Sequence, residues 1–129
     1  MATLLLKKSY QLNNLKEVPF KDLWGSKGVF TTMRMVGKPP RLLLYKSHLD
    51  NLFTSIKKYG IKKKNLKNII KQLIKKNSIF KGPDNLFRIA LNKKLISISI
   101  RKRPKSKNNF NLLLFKYKRI DPKYKNLYY

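Results

Sequence analysis

The sequence predicts an α+β domain in which an antiparallel sheet carries two amphipathic helices on one face. Residues 28–36 and 95–100 alternate as strands do, whereas residues 49–56 and 66–74 repeat apolar side chains at helical spacing. The predicted order is strand, strand, helix, helix, strand, strand, strand. Because elements of one type follow one another in runs, this order is typical of α+β domains. A chain of 129 residues with 42% hydrophobic residues is predicted to form one domain, residues 1–129.

The strands are predicted from alternation and from turn residues. The first is Gly28–Val36, which is interrupted by Pro39 and Pro40 because proline cannot donate a hydrogen bond to a sheet ladder. The segment RLLLY, residues 41–45, is predicted as a short second strand of a hairpin. Residues 86–91 and 95–100 are predicted as two strands joined by a tight NKK turn, and residues 110–118 as a last strand.

Two helices are predicted from apolar residues at positions i, i+3, i+4 and i+7. The first begins at Ser47, where Ser47 and Asp50 resemble a capping box, and it ends at Gly60. The second covers residues 64–76 and has a lysine-rich outer face. The predicted apolar stripes are Leu49, Leu52, Phe53 and Ile56 in the first helix, and Leu66, Ile69, Ile70, Leu73 and Ile74 in the second.

Composition excludes several classes of site. The chain has no cysteine, which excludes disulfides, thiolate metal sites and cysteine nucleophiles, and His48 is its single histidine. No segment reaches the ~18 uncharged apolar residues that a membrane-spanning helix needs. The apolar start MATLLL is cut off by Lys7 and Lys8, so it is too short for a secretory signal. We therefore expect a cytoplasmic protein that does not enter a membrane.

The charge is strongly positive, with 32 lysine and arginine residues against 5 aspartate and glutamate residues, for a formal net charge of +27. Such a field attracts phosphates and predicts weak, non-specific and salt-dependent binding of nucleic acid. The basic segment RKRPKSKNN is predicted as a loop. Its candidate phosphate contacts are Arg101, Lys102, Arg103, Lys105 and Lys107. No signature of a base-reading RNA-binding module accompanies them.

Four segments in order, GVFTTMR, SHLDNLFTSIKKYGI, FRIALNKKLISISIRKRP and RIDPKYKNLYY, resemble the class IV aminotransferase family. This family of pyridoxal-phosphate enzymes includes aminodeoxychorismate lyase, branched-chain aminotransferases and D-amino-acid aminotransferase. The resemblance extends from about Phe20 to Tyr129. The paired threonines Thr31 and Thr32 are similar to the lyase branch, because the aminotransferases usually have a glutamate at one of these positions.

The resemblance implies roles for three residues. Lys125, in KNLYY, stands where the family has the lysine that bonds covalently to pyridoxal 5'-phosphate, and Tyr129 stands where a tyrosine lies near the cofactor ring. Tyr128 replaces the usual asparagine of that motif. Asn51, in HLDNL, stands where an arginine usually holds the cofactor phosphate. An asparagine can donate a neutral hydrogen bond there but supplies no charge.

The resemblance also implies the N-terminal domain of a two-domain homodimer with a small-molecule substrate. The second domain would supply most of the phosphate cradle, so the 129-residue chain alone is expected to be inactive. The implied activity is that of a 4-amino-4-deoxychorismate lyase of folate biosynthesis, which releases pyruvate and 4-aminobenzoate, or of an amino-acid aminotransferase. The alternative is a non-catalytic basic protein, RNA-binding or ribosome-associated, that is built on the same fold.

Overall fold

The computed structural model describes residues 4–78 and 84–104 together with Leu127, and it has the predicted α+β architecture. Within these residues, six strands form one sheet in the order β2-β1-β6-β5-β3-β4, and all neighbouring strands are antiparallel. The elements are β1 Leu4–Gln11, β2 Glu17–Val18, β3 Gly28–Val36, β4 Arg41–Leu42, α1 Tyr45–Lys58, α2 Leu66–Asn77, β5 Asp84–Asn92 and β6 Leu95–Lys102.

The junction between β4 and α1 differs from the prediction. The strand predicted over residues 41–45 is only Arg41–Leu42, because Leu44 adopts a left-handed conformation with φ 53° and the helix begins at Tyr45. The capping box predicted at Ser47 and Asp50 was therefore wrong, since Ser47 already lies inside α1 and no side chain caps the helix. The predicted end was nearly correct: α1 stops at Lys58, and Gly60 follows with a φ of 67°.

β1 was not predicted, yet it is an eight-residue strand of the sheet, second from one edge. It pairs with β2 on one side and with β6 on the other. The hydroxyl groups of Ser9 and Ser97 lie 2.7 Å apart across this pair and are buried. Lys21 N–H donates to the Ser9 hydroxyl, and the Ser97 hydroxyl donates to Lys21 C=O. These bonds fix the start of the segment that leads from β2 to β3 over the sheet.

Both helices pack on one face of the sheet, as predicted. Cross-strand partners share a face, so Met33 of β3, Phe87 of β5 and Ile100 of β6 form a continuous row. All three are fully buried. The helical stripes close over such rows with the buried residues Leu49, Leu52, Ile56, Leu66, Ile70, Leu73 and Ile74. Burial of this apolar surface is the main stabilising contribution to the domain.

The opposite face carries a smaller cluster that contains Leu127. This side chain is fully buried against Leu23, Phe30 and Ala90. Its backbone is held at both groups, because Leu127 N–H donates to Gly28 C=O and Gly25 N–H donates to Leu127 C=O, each at 3.0 Å. Leu127 is thereby attached to the start of β3. The strand predicted at residues 110–118 lies outside the described residues.

Within the described ranges, neither α1 nor α2 is long and apolar enough to cross a bilayer.

Candidate functional site

Of the three residues that the resemblance assigns to the cofactor, the structure describes Asn51. It lies on the exposed side of α1, one residue before the buried Leu52, and its side chain makes no hydrogen bond within the described part of the chain. Its amide is accessible to a phosphate oxygen. Lys125 and Tyr129 lie outside the described residues. At the position where the resemblance implies an arginine, the structure therefore has a neutral donor and no cation.

The paired threonines of β3 point to opposite faces of the sheet. Thr31 is buried on the helical face, and its Oγ1 lies 3.0 Å from Nδ1 of His48 in the first turn of α1. Thr32 is half-buried on the other face, in register with Arg88. The two hydroxyls cannot act on one substrate atom from these positions. His48 is accordingly held in the first turn of α1 by its contact with Thr31.

Arg88 lies against Trp24 on the face opposite the helices. The guanidinium carbon lies 4.0 Å from the centroid of the Trp24 ring, and Nη2 lies 3.8 Å from Oδ1 of Asp22. The ring of Trp24 meets that of Phe30 edge to face, with centroids 5.1 Å apart. The side chain of Trp24 is 42% exposed.

A cavity of about 240 Å³ adjoins this pair. Its polar walls are formed by Asp22, from the segment between β2 and β3, and by side chains of β5 and β6, namely Arg88, Ser97, Ser99 and Arg101. Two arginines against one carboxylate favour an anionic occupant. Sequence reasoning missed this cavity, because the residues come from three separated segments that only the strand order brings together.

The basic segment predicted as a loop begins as a strand. Arg101 and Lys102 belong to β6, in register with Leu86 and Asn85 of β5. Successive strand residues face opposite sides, so these two side chains do not form one basic surface. Arg103 donates from Nη1 to Oδ2 of Asp84 at 3.1 Å, so its charge is used within the domain. Lys105 and Lys107 lie outside the described residues.

Asp84, the first residue of β5, accepts hydrogen bonds from two arginines. Arg34 donates from Nε to Oδ1 at 2.9 Å and from Nη2 to Oδ2 at 3.0 Å, which is a bidentate pair, and Arg103 adds the third hydrogen bond. The hydrogen bond from Arg34 lowers the pKa of Asp84, and the bond from Arg103 acts in the same direction. The same pair raises the pKa of Arg34. This cluster joins β3, β5 and the chain after β6.

A strongly basic concave surface lies between the end of α1 and the beginning of α2. We name this site the lysine cleft; it has a volume of about 1070 Å³ and is lined by Lys57, Lys62, Lys63, Lys64 and Lys67. Asp50 is the one carboxylate among its lining residues. Sequence reasoning predicted a lysine-rich face on α2 but not a cleft. The run KYGIKKKN signals it, since the turn at Gly60 brings the loop lysines beside both helices.

Catalytic metal chemistry has no candidate in residues 4–78 and 84–104, where no three histidine, cysteine, aspartate or glutamate residues cluster. Comparison of the chain with models of known protein families and with curated proteins finds no match in either set.

Proposed function

We propose that the chain is the N-terminal domain of a pyridoxal-phosphate-dependent enzyme of the class IV aminotransferase type, acting as a 4-amino-4-deoxychorismate lyase or an amino-acid aminotransferase. The proposal starts from the order and spacing of the motifs that surround Thr31, Asn51 and Lys125. The α+β architecture, with both helices on one face of an antiparallel sheet, agrees with the expectation from that resemblance.

The observation that carries the proposal is the attachment of Leu127. This residue comes two positions after Lys125 in the sequence, and its backbone groups are hydrogen-bonded to Gly25, in the turn before β3, and to Gly28, at the start of β3. Its side chain is fully buried. A lysine that must reach one atom of a cofactor benefits from a backbone that is held in place, because loosely held groups lose reactive geometry. The anchoring of Leu127 supports such a role for the KNLYY segment.

The cofactor would supply the electron sink for bond cleavage beside the substrate amine. Among the residues of this chain, Lys125 would bind it covalently, Tyr129 would lie near its ring, and Asn51 would donate one hydrogen bond to its phosphate. A lysine reacts as a nucleophile only when its amine is neutral, so a desolvated or cation-rich setting favours this role. Asn51 is too weak a donor to hold a phosphate dianion alone, so further contacts are required.

The experiment is borohydride reduction of the natural gene product in the presence of pyridoxal phosphate, followed by peptide mapping. Reduction makes the bond between cofactor and lysine permanent. We expect the label to concentrate on Lys125, and we expect Lys125→Arg to abolish it. The matched control Lys123→Arg, two residues earlier in the same basic segment, should leave the label on Lys125. Labelling spread evenly over many lysines, or concentrated on another lysine, would refute the proposed role.

A further inference from the structure

We propose that the lysine cleft binds the sugar–phosphate backbone of single-stranded nucleic acid. The observation behind this proposal is a concentration of charge within one concave surface. Five lysines line the cleft beside the single carboxylate of Asp50. Within the described part of the chain, none of the five lies at ion-pair distance from a carboxylate. Their charge is therefore available to an anionic partner, unlike that of Arg34 and Arg103.

The lysines stand on different walls of the cleft. Lys57 belongs to the last turn of α1, Lys62 and Lys64 to the connecting loop, and Lys67 to the first turn of α2. An extended strand that lies between these walls meets ammonium groups on both sides. The first turn of α2 contains no acidic residue, so the positive end of the α2 dipole is not neutralised there, while Lys57 lies at the negative end of the α1 dipole. Successive phosphates of one strand are the anions that such a distribution fits.

Two of the lysines are held by the fold. Lys63 donates from Nζ to the backbone carbonyl of Asn13 at 2.9 Å, which ties the loop to the turn after β1. The ammonium group of Lys67 lies 5.4 Å from the centroid of the Phe53 ring. These contacts reduce the side-chain entropy that binding would otherwise cost. Lys57, Lys62 and Lys64 are exposed and can adjust to the spacing of the phosphates.

The shape and chemistry of the cleft favour a single strand over a membrane or a duplex. Its apolar residues Ile56, Ile61 and Leu66 are buried and Phe53 is half-buried, so no large apolar side chain projects to insert into lipid. A volume of about 1070 Å³ accommodates a few nucleotides of one strand. The phosphates of a duplex lie on a convex cylinder and would contact only the rim. The exposed amides of Asn65 and Asn68 can bond to bases or sugars without reading sequence.

This inference does not depend on the proposed enzymatic function, because Asn51 is not among the residues that line the cleft. Loss of specific cofactor labelling would leave it intact, and loss of nucleic-acid binding would leave the labelling intact. It must instead be separated from the general attraction that a net charge of +27 exerts on any polyanion. A matched pair of variants makes this separation.

The test variant is Lys62→Gln with Lys64→Gln, both in the cleft. The control is Lys46→Gln with Lys75→Gln, which are exposed residues of α1 and α2 outside the cleft. Each double variant lowers the net charge by the same two units. Circular dichroism establishes that both remain folded. Binding of labelled oligouridylate and oligothymidylate is then measured by fluorescence anisotropy between about 50 and 200 mM salt.

We expect the cleft variant to bind about tenfold more weakly at the lower salt concentration. The magnitude of its slope of log affinity against log salt should fall by about 1.4, since each single-strand phosphate contact contributes ~0.7. The control should stay within about twofold of the wild-type chain, and oligouridylate and oligothymidylate should behave alike. Equal weakening of both variants would overturn the proposal, because it would mean that the overall charge alone causes binding. Tighter binding to a duplex or to vesicles of anionic phospholipid would also overturn it.

Discussion

Asp84 accepts two parallel hydrogen bonds from Arg34, at 2.9 Å from Nε and 3.0 Å from Nη2, and thereby joins the first residue of β5 to the partner strand β3. Arg103 contacts the same carboxylate from beyond the end of β6. Two segments that are far from Asp84 in the sequence thus bind its carboxylate. Since the pair is partly exposed, its contribution to stability is modest and depends on salt.

The lowered pKa of Asp84 predicts how this contribution depends on pH. A carboxylate whose pKa is lower in the folded state stabilises the fold above its unfolded value of 3.8, and this stabilisation is lost as the pH falls through the folded pKa. We therefore expect Asp84→Asn to lower Tm at neutral pH, and we expect its difference from the wild-type Tm to shrink as the pH falls below 3.8. The control is Asp50→Asn, an exposed carboxylate on α1. A constant Tm difference for Asp84→Asn across this pH range would contradict the prediction.

Periodicity correctly predicted the elements whose two faces lie in different environments. β3 has one face under the helices, so its alternation matched the structure at both ends, and both helical stripes are buried as expected. β1 escaped prediction because Lys7 and Lys8 interrupt its apolar residues. Its place is set by pairing with β6, as in the Ser9–Ser97 contact across 88 residues. Such long-range pairing leaves no local pattern in a single sequence.

The candidate functional surfaces were likewise predictable only in part. Individual basic residues could be recognised from the sequence, but their grouping could not. Arg103 was predicted as a candidate phosphate contact, and the structure places it against Asp84. Lys64 was predicted as the start of the second helix and Lys62 was assigned no role, although both line the lysine cleft. Leu44 explains the displaced start of α1, because a left-handed leucine has no propensity signal and is held by its surroundings.

Thr31 and Thr32 offer a matched test of the contact between β3 and α1. We expect Thr31→Val to destabilise the domain by about 1 kcal/mol, because it removes a hydrogen bond to His48 at a buried position while conserving shape. Thr32→Val changes the same chemistry on the other face and should cost less, because Thr32 is only half-buried. Urea denaturation followed by circular dichroism measures both. Equal losses would mean that the Thr31–His48 contact contributes nothing beyond strand propensity.

Gly28 lies where β3, β5 and Leu127 come closest together. A Cβ at this position would overlap the backbone carbonyl oxygen of Leu91 and would lie 2.9 Å from Cδ1 of Leu127. The backbone of β5 cannot move without breaking its ladder, whereas the side chain of Leu127 can rotate. We therefore expect Gly28→Ala to destabilise the domain by about 2 kcal/mol, mostly through the clash with Leu91.

Leu127→Ala separates the two contacts of Gly28. Alone, it removes a fully buried side chain and should cost about 2 kcal/mol or more. If the clash with the Leu91 carbonyl dominates, the double variant Gly28→Ala with Leu127→Ala should lose nearly the sum of the two single losses in free energy of unfolding. Truncating Leu127 does not relieve a clash with the backbone. If the Leu127 side chain is instead the main obstacle, the loss of stability in the double variant should be clearly smaller than that sum. Denaturation of the three variants beside the wild-type chain decides between these outcomes. If Gly28→Ala has the same free energy of unfolding as the wild-type chain, β3 and β5 are not packed this closely at Gly28.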